Sequence, residues 1–279
     1  MHSARDCVNA AEKGATMHCI EPSPVNFKKI NKFMNRNFND HKQRINLYNV
    51  AAGNTSGGTL DFTSTGSTGD HVGTGDVWTM EESKHTSDVD KDVVQVKSVR
   101  MDDIIKGKIE PSWTSVPKGS ALPSNSVFML KIDTQGFEPT VFSGLTESLN
   151  QHKIQFILFE YWPRGIDFMA GSRTKCDVVV NLLNTLIDFG YTLHGTNGES
   201  HPKGNTKEIR SLLNSKTDRP FDDLRKNCMW FYDLQERFPI DGYKMGYWSD
   251  ILAIAPNANI PKPTTKVGQI LRNSVLYNY

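Results

Sequence analysis

The sequence has few cysteines, no excess of charge of either sign and no long apolar run. Its 32 lysine and arginine residues balance 31 aspartate and glutamate residues, which gives a formal net charge of +1. A protein that binds nucleic acid through its phosphates needs a basic surface, so this balance argues against a nucleic-acid partner. No stretch approaches the roughly 20 apolar residues that a membrane-spanning helix requires. We therefore expect neither a nucleic-acid partner nor a membrane segment.

The cysteines match no known metal or redox spacing. The four are Cys7, Cys19, Cys176 and Cys228. Zinc sites and redox motifs usually show a CxxC-type spacing, which is absent here. The simplest expectation is four free thiols in a reducing compartment.

The first residues carry no apolar run of the kind found in a signal peptide. A cytoplasmic location is therefore the default prediction. One glycosylation-type triplet, Asn54-Thr55-Ser56, occurs in the sequence, although such triplets often arise by chance.

Short apolar runs alternate with amphipathic segments along most of the chain. Unalternated apolar runs bounded by turn residues indicate buried strands, and apolar residues at helical spacing indicate helices. Strands are expected in 15–24, 44–53, Thr59–Thr63, the start of 92–105, 127–133, 155–163, 191–195 and 247–256. Helices are expected in 4–13, 25–38, the end of 92–105, 139–150 and 176–191, with helix-like pieces near 207–214 and 229–237. This order is typical of an α/β protein with a parallel sheet covered on both faces.

The length of 279 residues suits one large α/β domain. We expect it to span residues 1–256, with a polar, insert-like region at about 196–245. Residues 257–279 are expected to form a peripheral tail.

Three of the expected strands end in an acidic residue, namely Glu21, Asp133 and Glu160. An unpaired buried charge is costly or shifts its pKa, so a carboxylate at the tip of a core strand needs a reason. Ligands of parallel sheets bind outside the carboxyl ends of the strands. The pattern predicts that the three acids line one cleft.

Five segments carry a family resemblance in their order and spacing. They are CIEPSPVNFKKI, NLYNVAAGNTSGG, VKSVRMDDII, VFMLKIDTQGFEPTVFSGL and FILFEYWP. Together they resemble the FkbM family of S-adenosylmethionine-dependent methyltransferases, over about residues 15–165 and more loosely near 247–256. The resemblance implies a Rossmann-like, seven-strand class I methyltransferase sheet with S-adenosyl-L-methionine as cofactor. It also implies O-methylation of a small-molecule or glycan acceptor.

The resemblance also implies roles for particular residues. Glu21, followed by Pro22, matches the acid that holds the ribose hydroxyls of the cofactor. Asn49 and Ala51 lie in the segment that usually touches the adenine. Asp133 matches the strand tip that faces the reactive methyl group, and is expected in both cofactor binding and catalysis. Asp133 or Glu160 is the candidate base that accepts the proton of a hydroxyl acceptor. No tight ligand motif requires a metal.

Several of these features have plainer alternatives. Asp133 can cap the turn that follows it, since Asp readily bonds nearby backbone N–H groups. Glu138 suits N-terminal helix capping at least as well as chemistry. Glu160 can bind substrate or a metal, or simply pair with Lys131. The glycine-rich segment 66–75 follows no apolar strand, so we expect a loop over the cleft rather than a cofactor loop.

The sequence departs from the family pattern at its start. The family carries a glycine-rich loop after its first strand, something like DVGANxG, which is not found here. We therefore expect an N-terminally incomplete sheet, from a truncated chain, a gene model without its first exon or a non-catalytic descendant. The alternative to an enzyme is a non-catalytic methyltransferase-fold binding or interaction protein. A nicotinamide oxidoreductase ranks behind both, because the KIDTQGFE segment fits it poorly.

Overall fold

The computed structural model describes residues 7–8, 11, 14–37, 44–64, 70–73, 92–116, 126–195, 228–229, 231–232 and 248–259. The chain divides into two compact units. The described residues of the first unit are those up to 116 together with 140–146. Those of the second unit are 126–139 and 147–259.

Seven strands of the first unit lie within the described residues. They are β1 (Thr16–Ile20), β2 (Arg44–Tyr48), β3 (Ala51–Gly53), β4 (Thr59–Ser64), β5 (His71–Val72), β6 (Asp92–Arg100) and β7 (Trp113–Thr114). One sheet has the order β1-β2-β7, with β1 and β2 parallel and β7 antiparallel to β2. The other has the order β3-β6-β4-β5, with β3 parallel to β6 and the remaining neighbours antiparallel.

Helix α1 (Pro24–Asn37) begins directly after the tip of β1. Ser23 caps it, since the backbone N–H of Asn26 donates to Ser23 Oγ and that of Phe27 donates to Ser23 O. Proline suits the next position because its fixed φ matches the helix and it has no N–H to satisfy. One turn apart, Ile30 and Met34 are buried in a core that also contains residues of β1 and β2. Burying each such side chain stabilises the fold by about 1.5–3 kcal/mol.

Three short helices follow, α2 (Met101–Ile105), α3 (Glu138–Ser143) and α4 (Thr146–Asn150). The helix expected over 139–150 is therefore two helices. The break has a packing reason, because a Cβ added to Gly144 would lie 2.1 Å from the carbonyl oxygen of Gly53. Only glycine permits this close approach of the chain to β3.

The second unit has one described sheet, formed by β8 (Val127–Ile132), β9 (Ile154–Tyr161), β10 (Thr192–Gly195) and β11 (Ser249–Ile254). Its order is β10-β11-β9-β8. Strands β8 and β9 are parallel, whereas β11 runs antiparallel to both of its neighbours. Helices α5 (Pro163–Met169) and α6 (Asp177–Asp188) also lie in the described part of the unit. The inward face of α6 carries Val179, Leu183 and Leu186.

The α/β class and most of the expected elements are confirmed, but the sheets are mixed and contain three or four described strands. A purely parallel arrangement is wrong, because an unalternated apolar run indicates burial on both faces and not strand direction. The strand expected over 44–53 is β2 and β3, which are separated by two residues. The helix-like piece at 207–214 lies outside the described residues, and 229–237 lies inside only at 229, 231 and 232. The domain boundaries, the region 196–245 and the tail stay predictions.

The expectation of free thiols is wrong, because Cys7 is bonded to Cys19 and Cys176 to Cys228. The paired residues are 12 and 52 positions apart, so the fold and not a local motif brings them together. Within the described ranges, no helix combines the length and the apolar character needed to cross a bilayer.

Candidate active site

Glu21 lies at the end of β1 in the first unit, where its backbone N–H donates to the carbonyl of Tyr48 and continues the β1–β2 ladder. Its Oε1 accepts a 3.0 Å hydrogen bond from the backbone N–H of Ser23. Burial raises the pKa of the Glu21 carboxyl above its usual range, the Ser23 N–H opposes that shift, and the charge of Asp70 adds to it. The acid is therefore partly desolvated and held in place by one backbone donor.

Asn49 joins the tips of β1 and β2. Its side-chain Nδ2 donates to the carbonyls of Glu21 at 2.9 Å and Pro22 at 3.2 Å, and its backbone N–H donates to Ser112 Oγ. These bonds orient the segment that carries the Glu21 carboxylate. Ala51 differs from the other predicted residues, because its side chain is buried in a small core with Phe62 and Val96.

Asp70 is a neighbour of Glu21 that the sequence alone did not single out. Its Oδ2 accepts hydrogen bonds from Asn26 Nδ2 at 3.2 Å and from Ser64 Oγ at 3.4 Å. It belongs to the glycine-rich segment 66–75, of which the structure describes 70–73. The only available signal was an acid within a loop of small residues, which is too common to be diagnostic.

Three acids form a row across adjacent strands of the second unit. The antiparallel register of β9 and β11 sets Glu160 directly opposite Asp250. The parallel register of β8 and β9 pairs Ile132 with Phe159, and one further step brings Asp133 level with Glu160. Like charges that face each other across a sheet repel, so the row favours a bound proton or a cationic neighbour.

Lys131 supplies positive charge beside this row. Its Nζ lies 3.9 Å from Asp133 Oδ2, and both side chains are more than two-fifths exposed. An exposed pair of this kind contributes little to stability. Its charge nevertheless lowers the pKa of Glu160 and Asp250, against the larger effect of burial.

Glu138 is fully buried at the start of α3 and holds the turn after β8. Its Oε1 accepts hydrogen bonds from the backbone N–H and the hydroxyl of Thr134, at 2.7 and 2.9 Å. Its Oε2 is buried and has no hydrogen-bond partner among the described residues. Gly136 makes the turn possible, since it has φ +93° and an added Cβ would lie 2.8 Å from the Gly165 carbonyl oxygen. Capping alone does not account for a buried oxygen without a partner.

Burial perturbs the proton affinity of the second-unit acids. It raises the pKa of Glu138 to about 7, and the charge of Asp133 acts in the same direction. Burial, followed by the charges of Glu138, Asp133 and Asp250, raises the pKa of Glu160 well above its usual range. One Glu160 oxygen, Oε2, is buried without a hydrogen-bond partner in the described part of the chain. A raised pKa of this kind is typical of carboxyls that act as general acids and bases.

The structure thus brings Asp133 and Glu160 together in the second unit, and Glu21, Pro22 and Asn49 together in the first. That all three strand-tip acids line one cleft stays a prediction. The sequence analysis did not identify Asp250. The feature that could have identified it is an acid at the start of the apolar run DILAIA.

The remaining side chains near the site mainly pack. Tyr161 and Trp162 are each 1% exposed, which supports packing over an acceptor pocket. Within the described ranges, no three acidic, histidine or cysteine side chains are arranged to hold a metal ion.

Comparison with known proteins identifies a family for this chain. The model of the methyltransferase FkbM domain matches residues 2–220 of this chain, well over half of its length. No curated protein and no solved structure matches it significantly.

Proposed function

Because the chain belongs to the FkbM methyltransferase domain family, we propose that it is an S-adenosyl-L-methionine-dependent enzyme that methylates a hydroxyl group of a sugar or another small molecule. The observation that carries the proposal is the row of Asp133, Glu160 and Asp250 at the carboxyl ends of β8 and β9. Burial desolvates Glu160 and Asp250 in this row, and a desolvated carboxylate suits the acceptance of the proton that a hydroxyl acceptor must release.

The first unit has residues that fit the cofactor. Glu21 is partly buried at a strand tip, and its Oε1 is fixed by the Ser23 N–H. A carboxylate can accept hydrogen bonds from both hydroxyls of a ribose, and such charge-assisted bonds are stronger than neutral ones. Asn49 and Pro22 would keep the Glu21 backbone in place through the bonds described above. When bound, S-adenosyl-L-methionine supplies a methyl group that is already activated by its positively charged sulfur.

The second unit has residues that fit the acceptor. We assign Glu160 the role of general base, since its raised pKa makes its carboxylate a stronger base than an ordinary glutamate. Asp133 is more exposed, its Oδ1 accepts a hydrogen bond from Gln135 Nε2, and it is suited to orienting the acceptor hydroxyl. Orientation of the two reactants supplies much of the rate enhancement in a transfer of this type.

A seven-strand class I sheet is part of the same proposal. The parallel pairs β1–β2 and β8–β9, each within its own unit, and the antiparallel strand β11 support it.

The test is an assay of methyl transfer with the full-length protein and methyl-labelled S-adenosylmethionine. Mono- and oligosaccharides and small phenols would be offered as acceptors, with matching amines in parallel. We expect the label to enter a methyl ether. Label in an N-methyl product would overturn the hydroxyl acceptor.

The alternative is a non-catalytic member of the family that binds a ligand or a partner. The buried acids of the second unit, Glu138 and Glu160, favour catalysis over this alternative. Tight binding of S-adenosylhomocysteine without transfer to any acceptor would support the non-catalytic protein.

A further inference from the structure

The disulfides make the glycosylation-type triplet at Asn54 relevant to this protein. The described residues include all four cysteines, and both pairs are disulfide-bonded. Disulfides form and persist in oxidising compartments, where Asn-linked oligosaccharides are also added. The sequence contains a single Asn-X-Ser/Thr triplet without proline, at Asn54. The question is whether the fold presents that asparagine.

The triplet lies in the turn between β3 and β4, and hydrogen bonds hold this turn in place. The Ser98 hydroxyl donates to the carbonyl of Thr55 at 3.0 Å, and the backbone N–H of Gly57 donates to the carbonyl of Ser98. The Ser56 hydroxyl donates to Asp103 Oδ2 at 2.6 Å and accepts from the backbone N–H of Arg100 at 2.9 Å. The turn is therefore a defined structure held against β6 and α2.

Asn54 itself is exposed, and its side chain makes no hydrogen bond within the part of the chain that the structure describes. Thr55, Ser56 and Gly57 are exposed as well. A bulky, hydrated substituent on Asn54 Nδ2 would displace no core residue and break none of the bonds that hold the turn. Surface position in a turn is what an oligosaccharide acceptor requires.

We propose that Asn54 carries an N-linked oligosaccharide and that the protein folds in an oxidising compartment. The donor is an oligosaccharide linked to a polyprenyl diphosphate, used by a membrane-bound transferase. A bond forms between Asn54 Nδ2 and the anomeric carbon of the sugar while the bond from that carbon to the diphosphate oxygen breaks. The polyprenyl diphosphate leaves with the electron pair, and the amide nitrogen loses one proton. This proposal goes beyond methyl transfer and does not depend on it.

The contacts of Ser56 set the order of events. Transferases of this kind require the hydroxyl two positions after the asparagine, and the folded protein directs that hydroxyl to Asp103. Addition must therefore precede closure of the turn on β6. The folded, unmodified protein is expected to be a poor acceptor.

The experiment uses the protein isolated from the cells that make it and the full chain secreted from a eukaryotic host behind a cleavable leader. A glycosidase that releases Asn-linked oligosaccharides should lower the mass of both, and should convert residue 54 to aspartate in peptide mass spectra. Asn54→Gln and Ser56→Ala should abolish the mass change, whereas Ser56→Thr should keep it. Asn257→Gln removes an exposed asparagine outside any such triplet and is the matched control.

Two results would overturn the proposal. One is native protein with intact disulfides whose residue 54 is unmodified asparagine. The other is native protein with four free thiols, which would contradict folding in an oxidising compartment. Peptide spectra of the unaltered protein decide the matter even where a variant fails to fold.

Discussion

The two units of this molecule differ in how they hold their buried and partly buried acids. In the first unit, Glu21 is partly buried, and its Oε1 accepts a hydrogen bond from the Ser23 N–H. In the second unit, Glu138 and Glu160 each have a buried oxygen with no hydrogen-bond partner among the described residues. Both units use a disulfide, but the first closes a short stretch of chain and the second a long one.

This difference separates binding from proton transfer. A carboxylate that is held by a donor and still accessible can accept hydrogen bonds from a ligand. A carboxyl with one buried oxygen that lacks a donor, near other acids, retains its proton to higher pH. We therefore expect substitutions in the first unit to change cofactor affinity and those in the second to change turnover.

The largest effect is expected from Glu160→Gln. Loss of a general base lowers kcat by about 10²–10⁴-fold, while the affinity for S-adenosylhomocysteine should not change. The pH dependence should change too, because the wild-type rate rises as pH passes the raised pKa of Glu160 and the variant lacks that rise. Initial rates between pH 5 and 9 measure the loss in kcat and the change in its pH dependence. Asp188→Asn, which alters an exposed acid at the end of α6, is the control. Equal losses in kcat and in affinity for S-adenosylhomocysteine would show that Glu160 takes part in cofactor binding.

The disulfides offer a second contrast. Closing 52 residues restricts the unfolded chain more than closing 12 does, so loss of Cys176–Cys228 should cost about 4 kcal/mol and loss of Cys7–Cys19 about 3 kcal/mol. Urea unfolding of the two double Cys→Ala variants would measure the difference. A larger loss from the shorter bridge would contradict the ranking.

Glu138 should make the protein less stable as pH rises. Its folded-state pKa is about 7, above the usual glutamate pKa of 4.5, so the folded state binds the proton more tightly than the unfolded chain does. The protonated form adds stability that is fully present below about pH 4.5 and is lost as pH rises through 7, on the order of 3 kcal/mol. Glu138→Gln keeps the acceptor for Thr134 but cannot ionise. Unfolding free energies from pH 5 to 8 should fall less steeply in this variant. An unchanged slope would show that a group other than Glu138 causes the pH dependence of stability.

The sequence predicted the local features well and the long-range ones poorly. Apolar runs that end in an acid located Glu21, Asp133 and Glu160, because each pattern is complete within one strand. The pairing of Glu160 with Asp250 depends on strand register between segments about 90 residues apart, on the order of a third of the chain, which periodicity does not encode. The disulfides were missed for the same reason, since neither pair has a local spacing motif.

The most direct measurement is calorimetric titration of S-adenosylhomocysteine into the full-length protein and two variants. Glu21→Gln should weaken binding by about 1.5–3 kcal/mol, the usual contribution of hydrogen bonds to a charged group. Glu160→Gln should bind as the wild type does, and Glu110→Gln, an exposed acid of the first unit, serves as control. Affinity that is unchanged by Glu21→Gln but lost with Glu160→Gln would contradict the division between binding and proton transfer.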